Sequence, residues 1–192
     1  MAYPTVSAPY GLKPINRIDG MPYAGAIRQI PLASGYTATF FGDAVKIVNG
    51  YADKDTGTTA ATPCGVFVGC SYTNSAGQPV QSQYAPAGQT NAVAYVVDDP
   101  MAAFQVAVVS GTTTIAAVSR DVVGSNMALV QNAGNTATGD SGVAVLSTST
   151  NTTNTLPIRV IDVVPATATG SDAFVELIVK INTHQYNNTT GV

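Results

Sequence analysis

Apolar residues occupy every second position along much of this chain, which is the period of a half-buried β-strand. The clearest run is AFVELIVKINTHQY at 173–186, where Val175, Leu177, Val179 and Ile181 alternate with Glu176, Ile178 and Lys180. Glu176 and Lys180 stand four apart, a spacing that also suits a helix. Val and Ile dominate the run, however, and favour a strand. The alternation places the four aliphatic residues in a core and leaves Glu176 and Lys180 on the opposite, solvated face. The same period recurs in Val66, Val68, Cys70 and Tyr72, in Val80, Ser82 and Tyr84, and in Val93, Tyr95 and Val97. It returns in Phe104, Val106 and Val108, and in Leu156, Ile158 and Val160. Asp162 then breaks parity before Val164, which a bulge or a strand buried on both faces explains. Shorter strands are expected over 26–32, 36–41, 44–48, 127–131 and 143–146, with a weaker one over 112–118.

Turn chemistry separates these runs. Asn49-Gly50 is a hairpin-tip dipeptide. Residues 52–63, 132–142 and 147–155 read as polar loops, the last almost pure Ser, Thr and Asn. Strands recur at roughly 8–15-residue spacing, with no amphipathic helices between them. The expected fold is therefore all-β, an antiparallel β-sandwich or barrel. Asp98-Asp99-Pro100 breaks the pattern and marks a joint between a first β subdomain, 26–99, and a second, 100–186, unless the two form one continuous domain. Residues 187–192 form a tail. Residues 1–25 carry Pro4, Pro9, Pro14 and Pro22 and read as an extended N-terminal arm. An arm with this much apolar surface packs on its own domain or on a neighbouring subunit. Its candidate partner contacts are Tyr3, Tyr10, Leu12, Arg17 and Tyr23, with Arg28 just beyond.

Composition narrows the function. Of 192 residues, 10% are charged, well below the ~25% usual for soluble domains. Thr, Ser, Asn and Gln must then supply much of the polar surface, which suits large hydrogen-bonded interfaces. The net charge is −3 and the eight basic residues are scattered, so no nucleic-acid partner is expected. No apolar run reaches the ~18 residues of a membrane span, and the N-terminus lacks a signal-peptide pattern. Cys64 and Cys70 flank a strand-like run. They would stand about 20 Å apart, too far for a disulfide, so free, buried thiols are expected.

Candidate chemistry is sparse. Glu176 is the only Glu and His184 the only His. His184 falls just past the closing strand, with no partner evident in the sequence, and reads as a surface or packing residue. Gly139-Asp140-Ser141-Gly142 matches the nucleophile loop of trypsin-like proteases, but the base such a serine needs would have to lie upstream. Asp53–Gly57, DKDTG, opens like a calcium loop without the closing Glu. Asp98 and Asp99 are adjacent and would point to opposite faces of a strand. Their expected role is to cap the turn before Pro100. The expectation is a non-enzymatic chain without cofactor or metal.

Several segments carry a family resemblance. They are SAPYGLKPINRIDG at 7–20, FFGDAVKIVNG at 40–50, GVFVGCSY at 65–72, YVVDDPMAAFQV at 95–106 and DVVGSNMALV at 121–130, with LPIRVIDVV and LIVKINTHQY at the end. In this order they resemble capsid decoration (cement) proteins of tailed bacteriophages, particularly those of cyanophages and related aquatic phages. The resemblance implies an all-β structural virion protein, assembled in the host cytoplasm. It would bind the major capsid protein on the outer lattice, most often as a homotrimer, and would need no catalytic residue or cofactor. The other reading is a receptor- or glycan-binding β-module of a tail or fibre, with recognition in the Ser/Thr/Asn loops of 132–155.

Overall fold

The computed structural model describes residues 8–23, 27–167 and 174–188, and within them twelve strands form two sheets. The strands are β1 Lys13–Arg17, β2 Ile27–Pro31, β3 Ala44–Val48, β4 Tyr51–Lys54, β5 Gly65–Thr73 and β6 Pro79–Ser82. They continue as β7 Thr90–Val97, β8 Ala102–Val109, β9 Asn126–Val130, β10 Ala144–Asn151, β11 Ile158–Val163 and β12 Glu176–Ile181. The two helical segments are single 3-10 turns, and no helix among the described residues is long and apolar enough to cross a membrane. The protein is all-β.

The later strands close a barrel. Its order is β8-β10-β9-β11-β12, and β12 pairs back onto β8. The β10–β8 contact is parallel, so the barrel is mixed rather than wholly antiparallel. β8 carries β12 along one edge, while the other edge takes β1 near its start and β10 near its end. Phe104, Val106 and Val108 of β8 meet Leu177, Val179 and Ile181 of β12 in one buried cluster. The bulge expected near Asp162 is present, between Val160 and Asp162.

The earlier strands form the second sheet, in the order β2-β7-β5-β3-β4, with β6 paired to β5. This sheet curls until a parallel bridge joins Leu32, just past β2, to Ala52 of β4. It encloses Ile30, Val45, Phe67, Cys70, Ala94 and Val96. Its other face contributes Ala44, Val66 and Val97 to the core of the barrel. The chain passes from one sheet to the other at the 98–101 turn, but β1 belongs to the later sheet.

That placement corrects the reading of residues 1–25 as an arm. From Tyr10 onward the segment is woven into the fold. Gly11 N donates to Val143 O (3.0 Å) and Leu12 N donates to Gly42 O (2.9 Å). Gly11 has φ 83°, and a Cβ there would lie 2.7 Å from that of Ser141 and 2.8 Å from Gly42 O. Only glycine fits the crossing. Leu12 and Tyr10 are buried, so neither is free to contact a partner. Tyr3 lies outside the described residues.

Other expectations also change. The tract at 147–155 does not begin as a loop, because β10 runs on through Asn151, where it pairs with Asn126. Ser149 Oγ accepts from Ala128 N (2.8 Å) and donates to Leu146 O (2.6 Å), filling a gap in the ladder. Residues 52–54, the start of the expected 52–63 loop, belong to β4 opposite β3. Residues 36–41 and 112–118 make only isolated bridges, at Thr39, Phe41 and Ile115. At the β3–β4 tip, Asn49 (φ 50°) and Gly50 (φ 85°) form the expected hairpin turn.

Candidate functional site

The side chains that the sequence marks for chemistry are taken up by structural bonds. Ser141 of the GDSG loop donates to Asp43 Oδ1 (2.6 Å) and accepts from Val143 N (3.0 Å). Its neighbour is a buried carboxylate, not an imidazole. Asp43 Oδ2 accepts from Phe40 N (2.8 Å) and lies 2.9 Å from Lys54 Nζ. Asp55 of DKDTG turns inward and accepts from Gly57 N (3.0 Å) and Thr62 N (2.8 Å). Both oxygens hold the loop closed. No cluster of three metal-ligating side chains occurs among the described residues.

Glu176 corrects the expectation of a solvated face on the closing strand. It is 6% exposed, because Tyr10 and Phe174 fold over that side of β12. Tyr10 Oη donates to Glu176 Oε1, and Gln105 Nε2 donates to Oε2 (2.7 Å). Burial, then Glu176, pushes the Tyr10 hydroxyl far above its ordinary value.

His184 is likewise buried, at 1% exposure. It lies on a C-terminal strap that leaves the barrel and crosses to the second sheet. Asn182 N donates to Pro157 O (2.7 Å) on the barrel side, whereas Thr183 Oγ1 donates to Ala61 O (2.6 Å). Gln185 N donates to Pro63 O (3.0 Å), and its side chain accepts from Ile47 N (2.7 Å) and donates to Ile47 O (3.2 Å). His184 Nδ1 accepts from Tyr186 N (3.2 Å), so the proton of the neutral ring sits on Nε2. Nε2 is buried without a hydrogen-bond partner.

Burial lowers the His184 pKa to about 4, against the opposing pull of Asp99 and of the nearby backbone of Asp98 and Cys64. Burial also pushes the Cys64 thiol up to about 12. Nucleophilic catalysis needs a thiolate beside a basic or charged imidazole. This cysteine and histidine are shifted in the opposite directions, and both stay neutral near pH 7.

What the fold does assemble is a surface at the 98–101 joint. Arg28 Nε lies 2.8 Å from Asp98 Oδ2, and Arg28 also donates to Tyr186 Oη. Tyr186 Oη in turn donates to Asp98 Oδ2 (2.8 Å). Arg17 Nε forms an ion pair with Asp99 Oδ2 at 3.2 Å, and its Nη2 is 3.5 Å from Asp19. Asp99 also caps the joint by accepting from Met101 N (2.8 Å), as the sequence led us to expect. Burial raises the Asp98 pKa, against the pull of Arg28.

Four large apolar side chains on the segments that meet at this joint are left in solvent. They are Met21 (59% exposed), Ile27 (47%), Tyr186 (44%) and Met101 (39%). Main-chain bonds hold two of them in place, Arg17 N to Met21 O (2.8 Å) and Ile18 N to Met101 O (2.9 Å). Ile27 pairs with Val97, so its side chain stands on the opposite face of β2 from that of Arg28. Of the candidate contacts named above, Arg17 and Arg28 lie on this surface. Tyr23 packs against the barrel core two residues beyond Met21. Sequence reasoning did not single out Met21, Ile27, Met101 or Tyr186; the DDP break at the joint was the signal nearest to them.

No family model matches this chain, and no curated protein or solved structure matches it.

Proposed function

We propose that this chain is a non-enzymatic structural virion protein. It would bind the outer surface of a tailed-phage capsid as a decoration protein, with the surface at the 98–101 joint as its docking face. The observation that carries the reading is that surface. Met21, Met101 and Tyr186 are exposed and bonded, through main chain or hydroxyl, to the segments that carry Arg17, Arg28, Asp98 and Asp99, whose charges already balance. Met, Tyr and Arg are the residue types enriched where proteins meet. Internally paired charges let such a face be covered without stranding a charge. The ordered segments from 7–20 to the closing strand, which resemble decoration proteins, point the same way. Repeated docking on one lattice, as a homotrimer, would stabilise the head by mass action and avidity.

The test is binding to heads from which the protein has been removed. The wild-type chain should sediment with them saturably, at hundreds of copies per particle, and should raise the temperature of genome release. Met21→Glu combined with Met101→Glu should leave the fold intact and abolish binding. A few copies per particle, or unaltered binding by the double variant, would overturn the reading.

One observation favours the second reading, a glycan-binding module. A cleft of about 550 Å³ lies beside the 132–142 loop, and its lining includes Tyr10, Lys13, Gln105, Asn135, Thr138 and Asp140. Against it, Lys13 Nζ sits 4.1 Å over the Tyr10 ring and covers the face on which a sugar would stack.

A further inference from the structure

We infer that His184 is a proton-operated latch on the C-terminal strap, holding Tyr186 on the docking face while its ring is neutral and releasing it on protonation. The strap is tied to the second sheet by hydrogen bonds of Thr183 and Gln185, none of which titrates. The imidazole is the one group of the strap that changes charge in mildly acid solution. The groups around it are the main chain of Cys64 before β5 and of Asp98 after β7, the charge of Asp99 and the Tyr186 ring, whose centroid is 5.0 Å away, with Arg28 of β2 reaching Asp98 and Tyr186. Asp98 is already engaged by Arg28 and Tyr186, and Asp99 by Arg17.

A proton added to the ring must go to Nδ1, the nitrogen that accepts from Tyr186 N. Two donors would then face each other, and a positive charge would sit in a buried site where Nε2 makes no hydrogen bond, with only the main chain of Asp98 and Cys64 near the ring to receive it. Asp99 offsets part of that cost but not all of it, as the lowered affinity for protons shows. The strap gains by swinging out, where the imidazolium meets water. Tyr186 leaves with it, breaking its bonds to Arg28 and Asp98. The latch itself is a property of the isolated chain; its effect on docking rests on the reading proposed above.

The chain's single histidine makes the test direct. In NMR spectra of the free protein from pH 7 to 3, the ring resonance should titrate below the ordinary value of 6.5 and above the value of about 4 of the buried ring, because release raises its affinity for the proton. The Tyr186 amide and ring signals should move to unfolded positions with the same midpoint, while the amides of β8 and β12 stay native. In His184→Asn the Oδ1 atom can still accept from Tyr186 N but cannot take up a proton, so Tyr186 should stay in place through pH 4. A ring that titrates near pH 6.5 without disturbing Tyr186 would overturn the latch. So would loss of β8 and β12 at the same midpoint, or an acid transition unchanged in His184→Asn. Failure of the docking reading would show separately, as absence of binding to heads at pH 7, where the latch is closed.

Discussion

Lys54 places its ammonium 2.9 Å from the carboxylate of Asp43, where Asp43 is wholly buried and the Lys54 side chain is 11% exposed. The pair ties β4 to the turn before β3, and through Ser141 to the later sheet. Removing one partner of a buried pair strands the other charge, at a cost of about 3–5 kcal/mol. Lys54→Met keeps most of the packing and should lower stability by about that amount in urea denaturation. Adding Asp43→Asn removes the stranded charge while leaving an acceptor for Ser141 or Phe40 N. The double variant should recover most of the loss. A single variant as stable as the wild type would show that the pair contributes nothing.

The two thiols should be chemically silent in the native state. Cys64 and Cys70 are both free and buried. Burial pushes their pKa values up to about 12 and about 11, and for Cys70 a hydrogen bond from the backbone of Ser82 opposes the shift. The thiolate is the reactive form. At pH 8 an alkylating reagent should therefore modify either residue only as fast as the protein unfolds, and both at once in denaturant. Rapid native labelling of Cys64 would contradict its burial in the second sheet.

Acid stability should carry a His184 component of definite sign. Its folded pKa, about 4, lies below the ordinary value of 6.5, so between these limits the unfolded chain binds the proton more readily. The stability is then complete above pH 6.5 and is lost as pH falls toward 4. At 1.36 kcal/mol per pH unit the loss amounts to at most about 3 kcal/mol. Carboxylates contribute to acid unfolding as well, so the diagnostic quantity is a difference. Stability of the wild type minus that of His184→Asn should fall across pH 6.5 to 4 and stay level above it. A difference independent of pH would contradict the assignment.

These cases show what a sequence of this kind discloses. The period-2 runs at 66–72, 93–97, 104–108 and 175–181 are strands because side-chain alternation is a local property, written where it acts. Glu176 reads as solvated because the side of β12 it occupies is covered by Tyr10, 166 residues earlier, and nothing in the strand announces that cover. Residues 147–151 looked like loop because polar composition hid a strand whose partner is β9. The proposed docking face is legible only as a break at Asp98-Asp99-Pro100. Met21, Met101 and Tyr186 come from three separate stretches, which only the fold ties to the joint. Leu12 and Tyr10 have the apolar character of a contact arm, but the space at Gly11 and Gly42 draws them inside.

The bond between Tyr10 and Glu176 gives the last prediction. It joins the N-terminal segment to the final strand, and Gln105 supplies the carboxylate's second donor. Tyr10→Phe keeps the ring in its cluster with Ala107, Val109 and Phe174 but leaves Oε1 without its donor. A buried acceptor deprived of its partner costs about 1–3 kcal/mol. The variant should lose that much stability in urea, and β1 should become its least protected strand in hydrogen exchange, since β1 follows Tyr10 and pairs only with β8. If Tyr10→Phe is as stable as the wild type and β1 is equally protected, the segment is held by Leu12 and the glycine crossing alone.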